Sequence, residues 1–183
     1  MFVALQSFLV ATLVAAVLYV PAPRQVETPA AKGCAAAEFR AFDFWVGDWD
    51  VKSAQGRKAG ENCIASVESG CALLERWTGA GGVTGTSLTF YDRGDRRWHQ
   101  SWMDGAGNAL RLAGAHRGTS MVLESTPSGG RVERVSWTPG EDGRVRQLWE
   151  SSKDDGKTWT VTFDGTYVKK TRAARADRCG ATR

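Results

Sequence analysis

The chain has 183 residues, 42% of them hydrophobic, which suffices for one domain with a single core and excludes a wholly disordered protein. Eight Trp and 21 Gly residues favour a turn-rich all-β fold in which large rings cover sheet faces. Residues 169–183 hold six Lys or Arg against one Asp, so residues 1–168 carry 18 basic and 19 acidic side chains, which excludes a basic surface for nucleic acid.

The first twenty residues, MFVALQSFLVATLVAAVLYV, contain no charged side chain and are mostly apolar. They predict either a cleaved signal peptide or an uncleaved N-terminal membrane anchor, because no basic residue marks the start of the run and the run is just long enough to span a bilayer. In both cases we expect a periplasmic or secreted domain, tied to the inner membrane only if the segment stays uncleaved. Residues 21–38 are Pro/Ala-rich and predict a linker.

An oxidising compartment makes disulfides the expected state of the four cysteines. Cys34 and Cys179 flank the patterned region on its two sides, and we predict that they pair and tie its ends together. Cys63 and Cys71 lie in adjacent candidate strands, where they either bridge or stay as buried thiols, and three connectivities remain open. The absence of a C-x-x-C pair gives no support for a metal site, and we predict none.

Between residues 39 and 171, short alternating runs recur about every ten to twelve residues, separated by Gly, Asp, Pro or Ser. This pattern predicts an all-β antiparallel meander. Because so many strands must close or leave long edges exposed, we expect a barrel of about 8–10 strands. A bend is expected at Asp164-Gly165, with Val161 and Phe163 on one face, and residues 172–183 form a basic C-terminal tail. The predicted strands are 44–52, 61–67, 71–78, 84–91, 96–104, 108–116, 119–125, 131–138, 143–151 and 157–171.

Several apolar strand faces contain one polar residue in the middle of the row, namely Glu75, Gln100 and Gln147. Burying such a group without a partner costs about 1–3 kcal/mol. Either these groups line a cavity where water or a ligand meets them, or the assigned face is slipped by one residue and they face solvent. We expect a ligand cavity with the following lining: Glu75, Trp77, Trp98, Gln100, Trp102, Gln147, Trp149 and Phe163.

The stretch FDFWVGDWDV, residues 42–51, contains Gly47-Asp48-Trp49, which resembles the G-x-W signature of the lipocalin and calycin superfamily. Together with GCALLERWTG, RWHQSWMD and GRVRQLWE it is similar to a bacterial family of exported lipocalin-like domains of unknown function, over residues 39–170. The resemblance implies that Trp45, Gly47 and Trp49 close the barrel floor. It also implies a basic residue against Trp49, for which the candidates are Arg146, Lys169 and Arg172.

The leading functional hypothesis is a non-enzymatic barrel for a small, mostly apolar ligand, with no cofactor and no nucleic acid partner. G-x-S-x-G, H-E-x-x-H, P-loop and G-x-G-x-x-G motifs do not occur, so no reaction is specified. One alternative is a barrel enzyme of isomerase or cyclase type, with Glu75 or His99 as proton carrier. A second is a haem-binding calycin similar to nitrobindin, in which His99 or His116 is the ligand. A third is a ligand-free structural envelope protein with a packed interior.

One further motif, SKDDGKTW at residues 152–159, matches the Asp-box hairpin of sialidase propellers. A single copy in so short a chain argues against a sialidase. We expect Asp154 to bond turn amides, Gly156 to take a positive φ, and Trp159 to pack beneath the turn.

Overall fold

The computed structural model describes residues 33–170, which form an antiparallel barrel of ten strands with one short helix, α1 (Ala37–Arg40). The expected all-β meander barrel is confirmed, and each predicted strand has a counterpart. The strands are β1 (Gly47–Ser53), β2 (Lys58–Val67), β3 (Ala72–Gly79), β4 (Thr84–Asp92), β5 (Arg97–Asp104), β6 (Ala109–Arg117), β7 (Ser120–Glu124), β8 (Val132–Pro139), β9 (Val145–Ser152) and β10 (Thr160–Lys169).

Every strand pairs with its neighbour in sequence, and β1 pairs with β10 to close the barrel. The closing register places Trp49 opposite Lys169 and Val51 opposite Tyr167. Closure satisfies the backbone groups that ten strands would otherwise leave at two open edges. The two ends of the barrel differ, and we call the end at Gly47 the floor and the opposite end, where β1 turns into β2, the mouth.

The floor is built by residues 33–46, which run across the barrel end as short helical turns before β1 begins. Phe42 and Trp45 are fully buried there, with ring centroids 5.1 Å apart, and both rings contact Trp137 of β8. The Trp49 indole donates to the Trp45 carbonyl at 2.9 Å. Large rings therefore fill the floor half of the barrel, which is where the resemblance had placed the closure residues.

The predicted Cys34–Cys179 disulfide is wrong, because Cys34 bonds to Cys71. The chain before α1 runs beside the start of β3, which brings the two Cα atoms to 5.0 Å. Cys179 lies outside the described residues. Cys63 does not bridge to Cys71, and no cysteine of residues 33–170 is a free thiol. The Cys34–Cys71 bond indicates an oxidising extracellular or periplasmic environment.

The last strand is irregular at Thr162 rather than at Asp164-Gly165. The pairing with β9 shifts between Val161 and Phe163, so Thr162 is an extra residue in β10. Because an inserted residue reverses the alternation, Val161 points outward and is 56% exposed, contrary to the predicted common face with Phe163. Gly165 has a different role, since its missing side chain leaves room for the Phe163 ring.

The turn before β10 has the expected Asp-box geometry. The Asp154 carboxylate accepts from the Thr158 backbone amide at 2.8 Å and from the Thr158 hydroxyl at 2.6 Å. Gly156 has φ +83°, and the Trp159 indole donates to its carbonyl at 3.0 Å. The motif is a turn brace. Among the helices of residues 33–170, none is long and apolar enough to cross a membrane.

Candidate functional site

A cavity of about 280 Å³ lies in the mouth half of the barrel, above the aromatic floor. Its walls combine five aromatic rings with three apolar or hydroxyl side chains and three polar groups. Trp77, Trp102, Trp149 and Phe163 are only partly buried, so the cavity reaches solvent at the mouth. The lining residues are Glu75, Trp77, Gln100, Trp102, Leu110, Val135, Gln147, Trp149, Thr162, Phe163 and Tyr167.

Seven of the eight residues proposed from alternation lie in this lining, and Trp98 does not. Trp98 is on the same face of β5 as Gln100 but one step nearer the floor. Its ring packs against Phe42 at 5.6 Å and Tyr91 at 6.1 Å between centroids. Alternation reports which face a residue occupies but not its height in the barrel, so Trp98 belongs to the floor rather than to the cavity.

Four lining residues were not proposed from sequence: Leu110, Val135, Thr162 and Tyr167. Tyr167 carried a signal, since it alternates with Phe163 along β10. Thr162 carried none, because it enters the lining only through the irregularity that turns Val161 outward. Trp159 packs under the Arg134 guanidinium at 3.8 Å and does not reach the lining.

Glycines explain why the aromatic side chains surround the cavity instead of filling it. A Cβ on Gly60 would lie 2.7 Å from the Trp77 ring, and a Cβ on Gly165 would lie 2.5 Å from the Phe163 ring. A Cβ on Gly85 would collide with the Trp102 ring in the same way. Each ring thus occupies the space over a position without a side chain, and the rest of the interior stays open.

A buried chain of hydrogen bonds joins the polar groups of the cavity. The Gln100 amide donates to the Ser87 hydroxyl at 3.2 Å, and that hydroxyl donates to Glu75 Oε2 at 2.6 Å. The Asn62 amide donates to Glu75 Oε1 at 2.7 Å and to the Tyr167 hydroxyl at 3.1 Å.

At the far end of the chain, the Tyr167 hydroxyl donates to Gln147 Oε1. The three central polar residues Glu75, Gln100 and Gln147 therefore share one network and face inward, which excludes the slipped face.

Glu75 is a buried carboxylate, only 5% exposed. Within residues 33–170 no Lys, Arg or His forms an ion pair with it. Burial raises its pKa above the ordinary 4.5, an effect that the hydrogen bonds from Ser87 and Asn62 partly offset. Burial, together with the negative charge of Glu75, also raises the pKa of Tyr167 well above its ordinary 10.0, so the phenol stays neutral.

The floor has the basic contact that the resemblance implied. The Lys169 ammonium lies 5.2 Å from the centre of the Trp49 ring, and Trp49 is fully buried. Arg146 is not the partner, because it forms a two-pronged hydrogen bond with Asp164 at 2.9 and 2.8 Å. Arg172 lies outside the described residues.

Neither histidine lines the cavity. His99 projects from the outer face of β5, bonds to Asp95 at 2.9 Å and stacks on Phe90, and His116 is exposed on β6. A haem placed in the cavity would therefore receive no histidine ligand from these two residues, and His99 is not positioned to carry protons there.

No protein-family model matches the chain, and no curated protein is significantly similar to it. The closed antiparallel barrel with Trp49 at one end is compatible with a calycin-like fold. The likeness is therefore one of architecture, and the function must be argued from the cavity.

Proposed function

We propose that this protein is an exported lipocalin-like barrel that binds a small, mostly apolar molecule in its cavity. The observation that carries the proposal is the open interior of about 280 Å³. Aromatic rings line it, together with polar side chains that belong to one buried hydrogen-bond network. Apolar concave sites with a few convergent polar groups are typical of ligand pockets. An interior of this kind also argues against the ligand-free alternative, which requires a packed barrel.

The volume limits the size of the ligand. An apolar cavity of about 150 Å³ holds one benzene molecule. By proportion, this cavity holds about eleven non-hydrogen atoms, which corresponds to one ring with a short chain or to a fused pair of rings. Export is part of the proposal: the disulfide and the apolar N-terminal run both support a periplasmic or secreted location, with the run acting as signal peptide or anchor.

The first test is native mass spectrometry, with an absorption spectrum, on protein purified from a periplasmic expression host. We expect a species heavier than the bare chain that loses its extra mass on denaturation. In parallel, 4-phenylbutan-1-ol, a neutral probe of about the right size, is titrated into ligand-free protein by calorimetry. Absence of any bound mass together with no binding of the probe at millimolar concentration would overturn the proposal.

A second candidate function is proton transfer by Glu75 to or from a ligand held in the same cavity. The observation that favours it is an inward carboxylate whose pKa is raised by burial, as general acids and bases require. This candidate predicts that a co-purified ligand is converted over time and that Glu75→Gln stops the conversion without releasing the ligand. Recovery of the unchanged ligand after prolonged incubation with the wild-type protein would exclude it.

A further inference from the structure

The cavity contains a carboxyl group whose negative charge, when it is ionised, the described protein does not neutralise. Glu75 lines the cavity and is only 5% exposed to solvent. Among residues 33–170 it has no cationic partner. Burying a carboxylate without a counter-charge costs several kcal/mol. The protein carries this cost in the part of its interior that is open to an incoming molecule.

The hydrogen bonds around Glu75 are directed toward a carboxylate. One series of donors runs from the Gln100 amide through the Ser87 hydroxyl to Oε2. The Asn62 amide donates to Oε1. A carboxylate has about four acceptor positions on its two oxygens, so two donors leave acceptor capacity for a ligand.

Aromatic rings line most of the cavity around this carboxylate. Trp77 and Phe163 meet edge to face, with ring centroids 6.1 Å apart and planes at 81°, and the Trp102 ring lies over Gly85. The faces of such rings attract cations, and desolvation inside a cavity strengthens the attraction. Among residues 33–170, the lining contains no Lys or Arg that would compete for them.

A second carboxylate lies near the mouth. Glu133 accepts from the Trp149 indole at 2.7 Å and from the Ser151 hydroxyl at 2.9 Å, and its side chain is 13% exposed. Arg131 forms an ion pair with it at 3.8 Å, from a position that is 64% exposed and therefore screened by water. The path into the cavity thus adds a partly compensated negative charge to that of Glu75, which disfavours anionic ligands.

From these contacts we propose that the ligand is a small organic cation, an amine whose ammonium group binds Glu75 and whose apolar body contacts the rings of Trp77, Trp102 and Phe163. The inference rests on the proposed binding function and specifies its ligand class. Neutral apolar molecules of the same size enter the cavity but leave the carboxylate without a partner, and carboxylates are excluded.

Three matched probes test the charge requirement: 4-phenylbutylamine, 4-phenylbutan-1-ol and 4-phenylbutanoate, titrated by calorimetry into the ligand-free, disulfide-bonded protein at neutral pH. We expect the amine to bind about tenfold or more tightly than the alcohol, because the bond to a charged group is added, and the carboxylate to bind most weakly. In Glu75→Gln the amine loses about tenfold in affinity, whereas the alcohol changes by less than about threefold.

Glu150→Gln is the matched control, since Glu150 lies on the outer side of β9 and pairs with Arg134 at 2.9 Å. It removes one carboxylate from the barrel and should leave the preference for the amine unchanged. If the alcohol binds and the amine binds no better to the wild-type protein, the cation proposal is overturned while the binding function stands. If none of the three probes binds, the cation proposal is overturned, and the binding function is overturned with it when no bound mass co-purifies with the protein. The wild-type comparison decides these outcomes even where Glu75→Gln folds poorly.

Discussion

The indole ring of Trp102 lies directly over Gly85 of the neighbouring strand, in the space that a side chain at position 85 would occupy. Backbone strain is not the reason for this glycine, since its φ is not positive. A methyl group at position 85 must therefore displace the ring, and the free direction is into the cavity. We predict that Gly85→Ala weakens binding of 4-phenylbutan-1-ol by about tenfold, as expected when bulk enters a fitted site.

Gly81→Ala is the control for that change, because a Cβ at position 81 meets no atom within 4 Å and its φ is also not positive. Its probe affinity should equal that of the wild-type protein in the same calorimetric titration. Unchanged binding in Gly85→Ala would mean that the ring moves away from the cavity and that the glycine does not set the cavity shape.

Trp102 and Trp137 allow a cavity wall to be distinguished from a packed core by mutation. Trp102 is partly exposed at the mouth, whereas Trp137 is 1% exposed and packs against Phe42 and Trp45. We predict that Trp102→Ala lowers probe affinity about tenfold or more but lowers the free energy of unfolding by less than Trp137→Ala, which should lose about 3–5 kcal/mol. Urea unfolding and calorimetry measure the two quantities. A loss in Trp102→Ala as large as in Trp137→Ala would mean that Trp102 is ordinary core.

Alternation made most of the cavity predictable from the sequence. Glu75, Gln100 and Gln147 each interrupt an apolar row, and such a group inside a barrel needs either a partner or an opening. The structure provides both, through one network that includes Ser87 and Asn62. Those two partners were not predictable, because cross-strand pairing depends on a register that a single strand does not report.

Two further features could not be predicted from the sequence: the height of a residue along the barrel axis and the local irregularities of the chain. Trp98 lies on the inner face of β5 with Gln100, as alternation predicts. However, the chain before β1 folds across the barrel end and places Phe42 against Trp98. Nothing in the linker-like composition of residues 21–38 indicates that path. The same path decides the disulfide, since it brings Cys34 beside Cys71. Pairing is a matter of tertiary geometry rather than of spacing along the chain.

We predict that the Cys34–Cys71 disulfide stabilises the protein but has little effect on binding in the cavity. It closes a loop of sequence separation 37 and holds the segment that carries Phe39, Phe42 and Trp45 to the floor. Loop-closure entropy for a loop of this length is worth about 4 kcal/mol. We expect the double variant Cys34→Ala/Cys71→Ala to lose about 3–4 kcal/mol in urea unfolding. Probe affinity should change by less than about threefold, because the cavity lies toward the mouth.

Binding lost in parallel with that stability would contradict the separation of floor and cavity. The double replacement is preferable to either single one, since a single replacement leaves a reactive thiol beside the floor.

Lys169 allows a test of one contact in the floor, with a smaller expected effect on stability. Its ammonium lies 5.2 Å from the centre of the buried Trp49 ring. Replacement by Met keeps the apolar stem and removes the charge, so Lys169→Met should lose about 0.5–1 kcal/mol of unfolding free energy. Lys153→Met, at an exposed turn position, is the control and should change little. Equal effects of the two variants would show that the ring gains nothing from the ammonium.

Glu75 finally predicts how stability depends on pH. Burial raises its pKa in the folded protein above the ordinary 4.5, so the folded state holds this proton more tightly than the unfolded state does. The favourable contribution is fully present below the unfolded-state pKa and is lost as pH rises through the folded-state pKa. Tyr167, the other titratable group of residues 33–170 in the Glu75 network, remains neutral over this range because its pKa is raised as well.

A glutamine at position 75 does not titrate and carries no buried charge. Glu75→Gln should therefore be more stable than the wild-type protein at neutral pH, by about 1–2 kcal/mol, the usual gain when a destabilising functional residue is replaced. The difference should shrink toward zero at about pH 4, where the wild-type carboxyl is neutral too. Urea unfolding at both pH values, without ligand, measures it, and Glu150→Gln should show no such gain because it breaks an ion pair. A Glu75→Gln protein that is less stable at neutral pH would mean that the carboxylate is adequately compensated by Ser87 and Asn62, and that no counter-ion is missing from the cavity.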